Sequence, residues 1–155
     1  MSLESLLKSQ ELIATRIAEL RLDQANADPL VYELISEAIV GMLEKSYIRP
    51  NSNFRVGTAI RTDSDIYNAG NHEFKGRKSI CAEQSCITQI PVDELNSIAA
   101  IAIVGSTDGL TTPCGTCRQA LAEHTTPNIP IYMANQTGKL LLVATIGELL
   151  SHAWN

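Results

Sequence analysis

Four cysteines and one glutamate carry the chemistry open to this sequence. The cysteines are Cys81, Cys86, Cys114 and Cys117, and Cys114-Gly-Thr-Cys117 is a Cys-x-x-Cys preceded by Pro113. Alone, that motif reads as a redox pair, or as half of a four-cysteine structural zinc site with Cys86 as the fourth ligand. Residues 114–123 read as a helix, with Pro113 at its first position and Thr112 as its cap. Positions i and i+3 share a helix face, so Cys114 and Cys117 can reach one metal from the first turn. Cys81 opens another helix running to about Ile90, and a rotation of about 100° per residue carries Cys86 roughly 140° away from it. Cys86 is therefore expected in the core. Three thiolates with an open fourth position describe a catalytic zinc site, because a closed structural site takes four protein ligands. Glu83 is the expected proton carrier for water activated at such a metal.

The elements that must position these groups follow from hydrophobic periodicity. Residues 3–21 carry Leu3, Leu6, Ile13, Ile17 and Leu20 at helical spacing. A second amphipathic helix is expected over 29–47, started by Asp28-Pro29 and lined by Val31, Leu34, Ile35, Ala38, Met42 and Leu43. Residues 54–61 alternate as a strand, and 62–65 supply turn chemistry before a second strand. Within 95–104, the run from Ile98 to Val104 suits a strand buried on both faces. Two more strands, over 129–134 and 139–144, flank the turn residues 135–138, and a short helix follows over 146–152. The order α-α-β-β-α-β-α-β-β-α predicts one α/β domain, a three-layer α/β/α sandwich around a mixed sheet. Residues 1–28 are then an N-terminal helical extension. Both cysteine-bearing helices would start at one edge of the sheet, where helix N-termini favour negative charge.

Composition narrows the function classes. The chain has 155 residues, 45% hydrophobic and 19% charged, enough for an ordinary core. A net charge of −5 argues against a nucleic-acid or anionic-membrane partner. Aromatics at 5% leave few platforms for stacking nucleic-acid bases. No apolar run is long enough to span a bilayer. The start, Met-Ser-Leu-Glu, lacks the basic and apolar regions of a signal peptide, so a cytoplasmic location with reduced thiols is expected.

Taken together, three blocks resemble the zinc-dependent cytidine deaminases of the small homotetrameric type. They are Pro50-Asn-Ser-Asn-Phe-Arg-Val-Gly-Thr-Ala-Ile60, Gly70-Asn-His-Glu-Phe74, and the pair Ile80-Cys-Ala-Glu83 and Pro113-Cys-Gly-Thr-Cys-Arg-Gln119. The pair matches a general zinc-deaminase pattern, a cysteine or histidine with a nearby glutamate and a later Pro-Cys-x-x-Cys. The resemblance implies a five-stranded sheet and one Zn²⁺ per subunit on Cys81, Cys114 and Cys117, with Glu83 as general acid and base. It implies that Asn71 and Glu73 hold the ribose hydroxyls and that Phe54 packs on the pyrimidine ring. The Ala82 backbone would face the base, and Arg118 and Gln119 would support the site. The implied assembly is a homotetramer or homodimer.

The chain also departs from that family. Gln84 stands where an arginine is usual after the glutamate, which leaves Arg118 or the basic loop of Lys75, Arg77 and Lys78 to offset thiolate charge. Asn51 stands where tyrosine is usual. The ending Gly147-Glu-Leu-Leu-Ser-His-Ala-Trp154 resembles the blasticidin S deaminase tail, with Trp154 able to close a pocket. His72, His124 and His152 follow no metal spacing and are expected at the surface or in hydrogen bonds. The implied reaction is hydrolytic deamination of a cytidine-like nucleoside, in which zinc-activated water attacks the amine-bearing carbon and ammonia leaves. A blasticidin S-type or other aminated nucleoside is the alternative substrate. A non-catalytic zinc module, with Cys86 as fourth ligand and Gln84 marking lost activity, is the alternative of another class.

Overall fold

The computed structural model describes residues 28–50, 52–138 and 141–150. The helix expected over 3–21, His152 and Trp154 lie outside the described residues. Asp28 caps the first described helix by accepting the Leu30 amide at 2.9 Å, and Pro29 takes its first turn. This helix, α1 (Pro29–Val40), presents Leu34, Ile35, Ala38 and Ile39 on one buried face. It continues through a π-helical segment, Gly41–Lys45. The helix stops short of Tyr47 because the Tyr47 amide turns to donate to the Asn71 carbonyl at 2.8 Å.

The sheet has the order β2-β1-β5-β6-β7, where β1 is Val56–Arg61, β2 Ile66–Gly70, β5 Ala100–Gly105, β6 Pro130–Ala134 and β7 Leu141–Thr145. Only β5 and β6 run parallel, and α3 (Gly115–Ala122) forms their crossover. The other pairs are antiparallel, with Val56 opposite Gly105 and Arg61 opposite Ala100. The central strand β5 is buried along its whole length.

The two faces of this sheet are packed in opposite senses. Toward α1 it presents Ala59, Ala100, Ala102, Val104 and Ala134 beneath the large Leu34, Ile35, Ile39 and Met42. On the other face it presents Ile60, Ile101, Ile103, Ile131 and Met133. There the covering helices, α2 (Ala82–Ile87), α3 and α4 (Ile146–Leu149), include the small residues Cys86 and Ala122. On this second face Leu121 and Ile146 join Cys86 and Ala122 against the large sheet residues, whereas the α1 face sets large helix residues over small sheet ones. The result is the expected α/β/α sandwich around a five-stranded mixed sheet.

Several expected boundaries move, each for a local reason. Phe54 lies outside β1, held by side chains instead of a strand ladder. Residues 92–97 form a 3-10 helix, so only the later part of 95–104 is strand. The last helix is described over 146–149. The basic residues 75–78 are not a plain loop. Strands β3 (His72–Phe74) and β4 (Arg77–Ile80) form a hairpin there, which the strand order read from the sequence omits. Its pairing is supplied by tertiary contacts that sequence alternation does not reveal. Tyr47 bridges to His72, and the Tyr47 and Phe74 rings flank the His72 imidazole at 4.8 and 4.6 Å.

Gly57 sets how closely α1 lies on β1. A Cβ at that position would stand 1.9 Å from the Ala38 carbonyl oxygen, whereas one at Gly115 would meet nothing within 4 Å. Gly57→Ala is expected to lower unfolding free energy by at least ~1–3 kcal/mol in urea denaturation, since backbone cannot yield as a flexible side chain can. Gly115→Ala should leave it unchanged or slightly higher.

Candidate active site

Both cysteine-bearing helices begin where β1 starts and β5 ends. Cys81 is the N-cap of α2 and Cys114 the N-cap of α3. The expectation of Thr112 as cap and Pro113 inside the helix is thus corrected by two residues. Pro113 stays outside because its carbonyl is needed by Arg118, whose Nε donates to it at 2.8 Å. Cys117 lies in the first turn of α3, and the sulfurs of Cys81, Cys114 and Cys117 lie within 4.8 Å of one another. All are free thiols, graded from buried Cys117 through half-buried Cys81 to exposed Cys114.

The fourth cysteine is elsewhere. Cys86 is 0% exposed and belongs to the apolar cluster under α2. Its Sγ lies 3.2 Å from the Tyr67 carbonyl oxygen, and burial pushes its thiol up to about 12. The four-cysteine reading therefore fails, and the three-sulfur set keeps an open side. Tetrahedral thiophilic zinc fits such a donor set.

The electrostatics of the cluster call for a cation. Burial raises the Cys117 thiol, and the Glu83 charge beside it raises it further. Burial also raises Cys81. Cys114 is shifted the other way, chiefly by the Cys117 amide of the helix turn it caps. Three thiolates around a divalent ion leave a net charge of about −1, which suits helix starts. Glu83 is only 4% exposed, and its Oε2 lies 3.6 Å from Cys117 Sγ. Burial holds its carboxyl above the usual carboxylate range.

These groups open onto one mostly apolar cavity of about 240 Å³. Phe54, Val56 and Ile80 make apolar wall, Asn71, Ser79, Thr111 and Thr112 add polar atoms, and Ala82, Glu83 and the three cysteines complete it. Gly105 makes room at the rim. A Cβ there would stand 1.9 Å from Thr111 Oγ1 and 3.2 Å from the Phe54 ring. A larger hollow of about 410 Å³ lies at the opposite end of β1, beside Arg61 and four carboxylates, with no thiol.

The remaining expected residues divide. Phe54, Asn71 and Ala82 reach the cavity. Asn71 also braces backbone, since its Oδ1 accepts the Val56 amide at 2.9 Å and its Nδ2 donates to the Phe54 carbonyl at 3.2 Å. Glu73 does not line the cavity. Its carboxylate accepts the Arg49 amide at 2.9 Å and the Ser52 hydroxyl. Arg118 likewise spends donors on backbone, the Pro113 carbonyl and, at 2.9 Å, the Leu149 carbonyl. It ties the start of α3 to α4 and does not cover the sulfurs. Gln119 is exposed outside the cavity, and Lys75 and Lys78 are exposed on the hairpin. Sequence reading missed Ser79, Thr111 and Thr112 as wall. Their only signal was adjacency to Cys81 and Cys114.

Zinc content separates the cysteines. Cys117→Ala should fall from about one zinc per chain to near none, while Cys86→Ala keeps its zinc and loses about 1 kcal/mol of stability. With chelator present, Ellman's reagent should label exposed Cys114 fastest and half-buried Cys81 more slowly in the folded chain, and the buried Cys117 and Cys86 only after denaturation.

A family model described as the cytidine and deoxycytidylate deaminase zinc-binding region matches residues 32–133. A cytidine deaminase of Sporosarcina psychrophila is 34% identical over 114 residues, covering 72% of this chain and 82% of that protein. One from Halalkalibacterium halodurans is 32% identical over 123 residues, 78% of this chain and 91% of that one. The crystal structure of cytidine deaminase from Burkholderia pseudomallei matches with a TM-score of 0.71 at 34% identity, covering 79% of this chain and 98% of that chain. That from Mycobacterium leprae matches at 0.61 and 27% identity, over 81% and 100%. With its three-sulfur zinc cluster at two helix starts, the chain belongs to the cytidine and deoxycytidylate deaminase family.

Proposed function

We propose that the chain hydrolytically deaminates a cytidine-type nucleoside. The observation that carries this is a buried carboxyl, Glu83, sharing one cavity with three sulfurs and an aromatic wall. Zinc held by Cys81, Cys114 and Cys117 supplies the Lewis acid that makes water acidic enough to react near neutral pH. Phe54 packs on the base, the Ala82 backbone faces its polar edge, and Asn71 reaches the sugar with the capacity its two bonds leave free. Glu83 takes a proton from water on a carboxylate oxygen and delivers it to the ring nitrogen as the C–O bond forms. It then passes the second water proton to the amine as the C–N bond breaks. The products are ammonia and the corresponding carbonyl compound.

Glu73 contributes through the backbone it holds, and Arg118 by fixing the start of α3. Residues 29–155 are read as the catalytic domain and 1–28 as an extension. Assembly as a homotetramer or homodimer is supported by Leu142 and Val143, exposed at 45% and 51% on the edge strand β7. A cytoplasmic setting agrees with a site that needs reduced thiols.

Glu83→Gln is the decisive variant. It should keep zinc and melting temperature while ammonia release from cytidine falls by ~10²–10⁴-fold. Turnover at the parent's rate would remove Glu83 from the chemistry. A screen of cytidine, deoxycytidine, deoxycytidylate and blasticidin S for ammonia release ranks the substrates, with cytidine expected first.

A further inference from the structure

The segment that carries Phe54 into the cavity belongs to no strand, yet its backbone is held at close intervals. The Tyr47 amide donates to the Asn71 carbonyl at 2.8 Å, just before β3, and its carbonyl accepts the Glu73 amide of β3 at 2.9 Å. Beyond it the Arg49 amide donates to Glu73 Oε2 at 2.9 Å, and the Ser52 hydroxyl donates to Glu73 Oε1. Ser52 Oγ in turn accepts the Phe54 amide at 3.3 Å. Asn53, between them, has φ of 56°, a left-handed conformation that asparagine adopts at little cost but that still needs fixed neighbours. On its other side the Phe54 carbonyl is taken by Asn71, so both backbone polar groups of Phe54 end on side-chain atoms.

We infer that Ser52 is a positioning residue for substrate recognition, relaying the Glu73 carboxylate to the Phe54 amide and so fixing where the Phe54 ring stands in the cavity. Phe54 is 37% exposed and only the tip of its ring lies against Gly105, where an added Cβ would stand 3.2 Å from it, so packing encloses the side chain in part. The rest of its direction is set by the backbone that Ser52 and Asn71 hold. A charged acceptor makes the Ser52 bond stronger than a neutral one, which suits a relay of one hydroxyl. Because Phe54 touches the base and not the reacting carbon, the relay should act on substrate affinity more than on the chemical step.

This inference rests on reading the cavity as the nucleoside site, and its test has an arm that does not. The chain contains two phenylalanines, Phe54 and Phe74. Both can be replaced by 4-fluorophenylalanine and followed by ¹⁹F NMR. In Ser52→Ala the Phe54 resonance should shift and broaden while that of Phe74 and the melting temperature hold, and Ser52→Thr should restore it. In cytidine kinetics Ser52→Ala should raise KM ~3- to 10-fold, the loss of about one hydrogen bond, with kcat within about twofold. In a Phe54→Ala background the same substitution should raise KM no further. An unchanged Phe54 resonance in Ser52→Ala overturns the relay, as does an equal rise in KM in the Phe54→Ala background. If the parent fails to deaminate cytidine, the functional reading falls, and the ¹⁹F result alone decides the relay.

Discussion

Four acidic side chains have to share one small volume, and the rest of the molecule is arranged around that constraint. Cys81, Cys114, Cys117 and Glu83 line the same wall, three of them shifted away from ionisation by burial. Such a cluster is costly to charge without a cation, and inexpensive once a divalent ion sits among the sulfurs. The backbone contributes what an acidic chain with a net charge of −5 cannot supply as a general field. It brings two helix starts to one sheet end, where the Cys117 and Thr116 amides of α3 reach the Cys114 sulfur. The lowered Cys114 thiol is the local trace of that arrangement.

The sheet makes the convergence possible. The parallel pair β5 and β6 forces a crossover, and the crossover helix α3 must begin near the end of β5. Antiparallel β1 brings Val56 to the same end, opposite Gly105. Small residues on one sheet face and large ones on the other then set α1 on one side and the cysteine helices on the other. Cys86 shows the difference a position makes. Only five residues after Cys81, it is a small apolar filler over Ile60 and Tyr67, because a helix turn carries it away from the metal side.

Polar residues near the cavity mostly serve the backbone. Asn71 takes the Phe54 carbonyl that no strand pairs, Glu73 holds Arg49 and Ser52, and Arg118 joins the start of α3 to α4. Buried and half-buried backbone groups need partners, and loops beside a cavity have no ladder to provide them. Side chains fill that need, so residues whose types suggest ligand binding are partly committed before any ligand arrives. The guanidinium groups follow the same division, with Arg55 bonded to Ser46 and Arg118 to the Pro113 and Leu149 carbonyls.

The sequence by itself determined the chemistry of the centre and the layering of the fold. Cys-x-x-Cys at a helix start, a cysteine and a glutamate at another, and an unbroken apolar run at β5 each reflect local rules of helix rotation and burial. Those rules also pointed Cys86 toward the core, and its burial in the apolar cluster then removed the four-cysteine alternative. Only the tertiary structure decided the hairpin of β3 and β4, the caps at Cys81 and Cys114, and the assignment of Glu73 and Arg118 to backbone. The hairpin and the roles of Glu73 and Arg118 depend on partners distant in sequence, Tyr47 for His72, Ser52 for Glu73 and Leu149 for Arg118. Periodicity reports which way a side chain points along its own element. It carries no information about which unpaired amide or carbonyl another segment will bring to meet it.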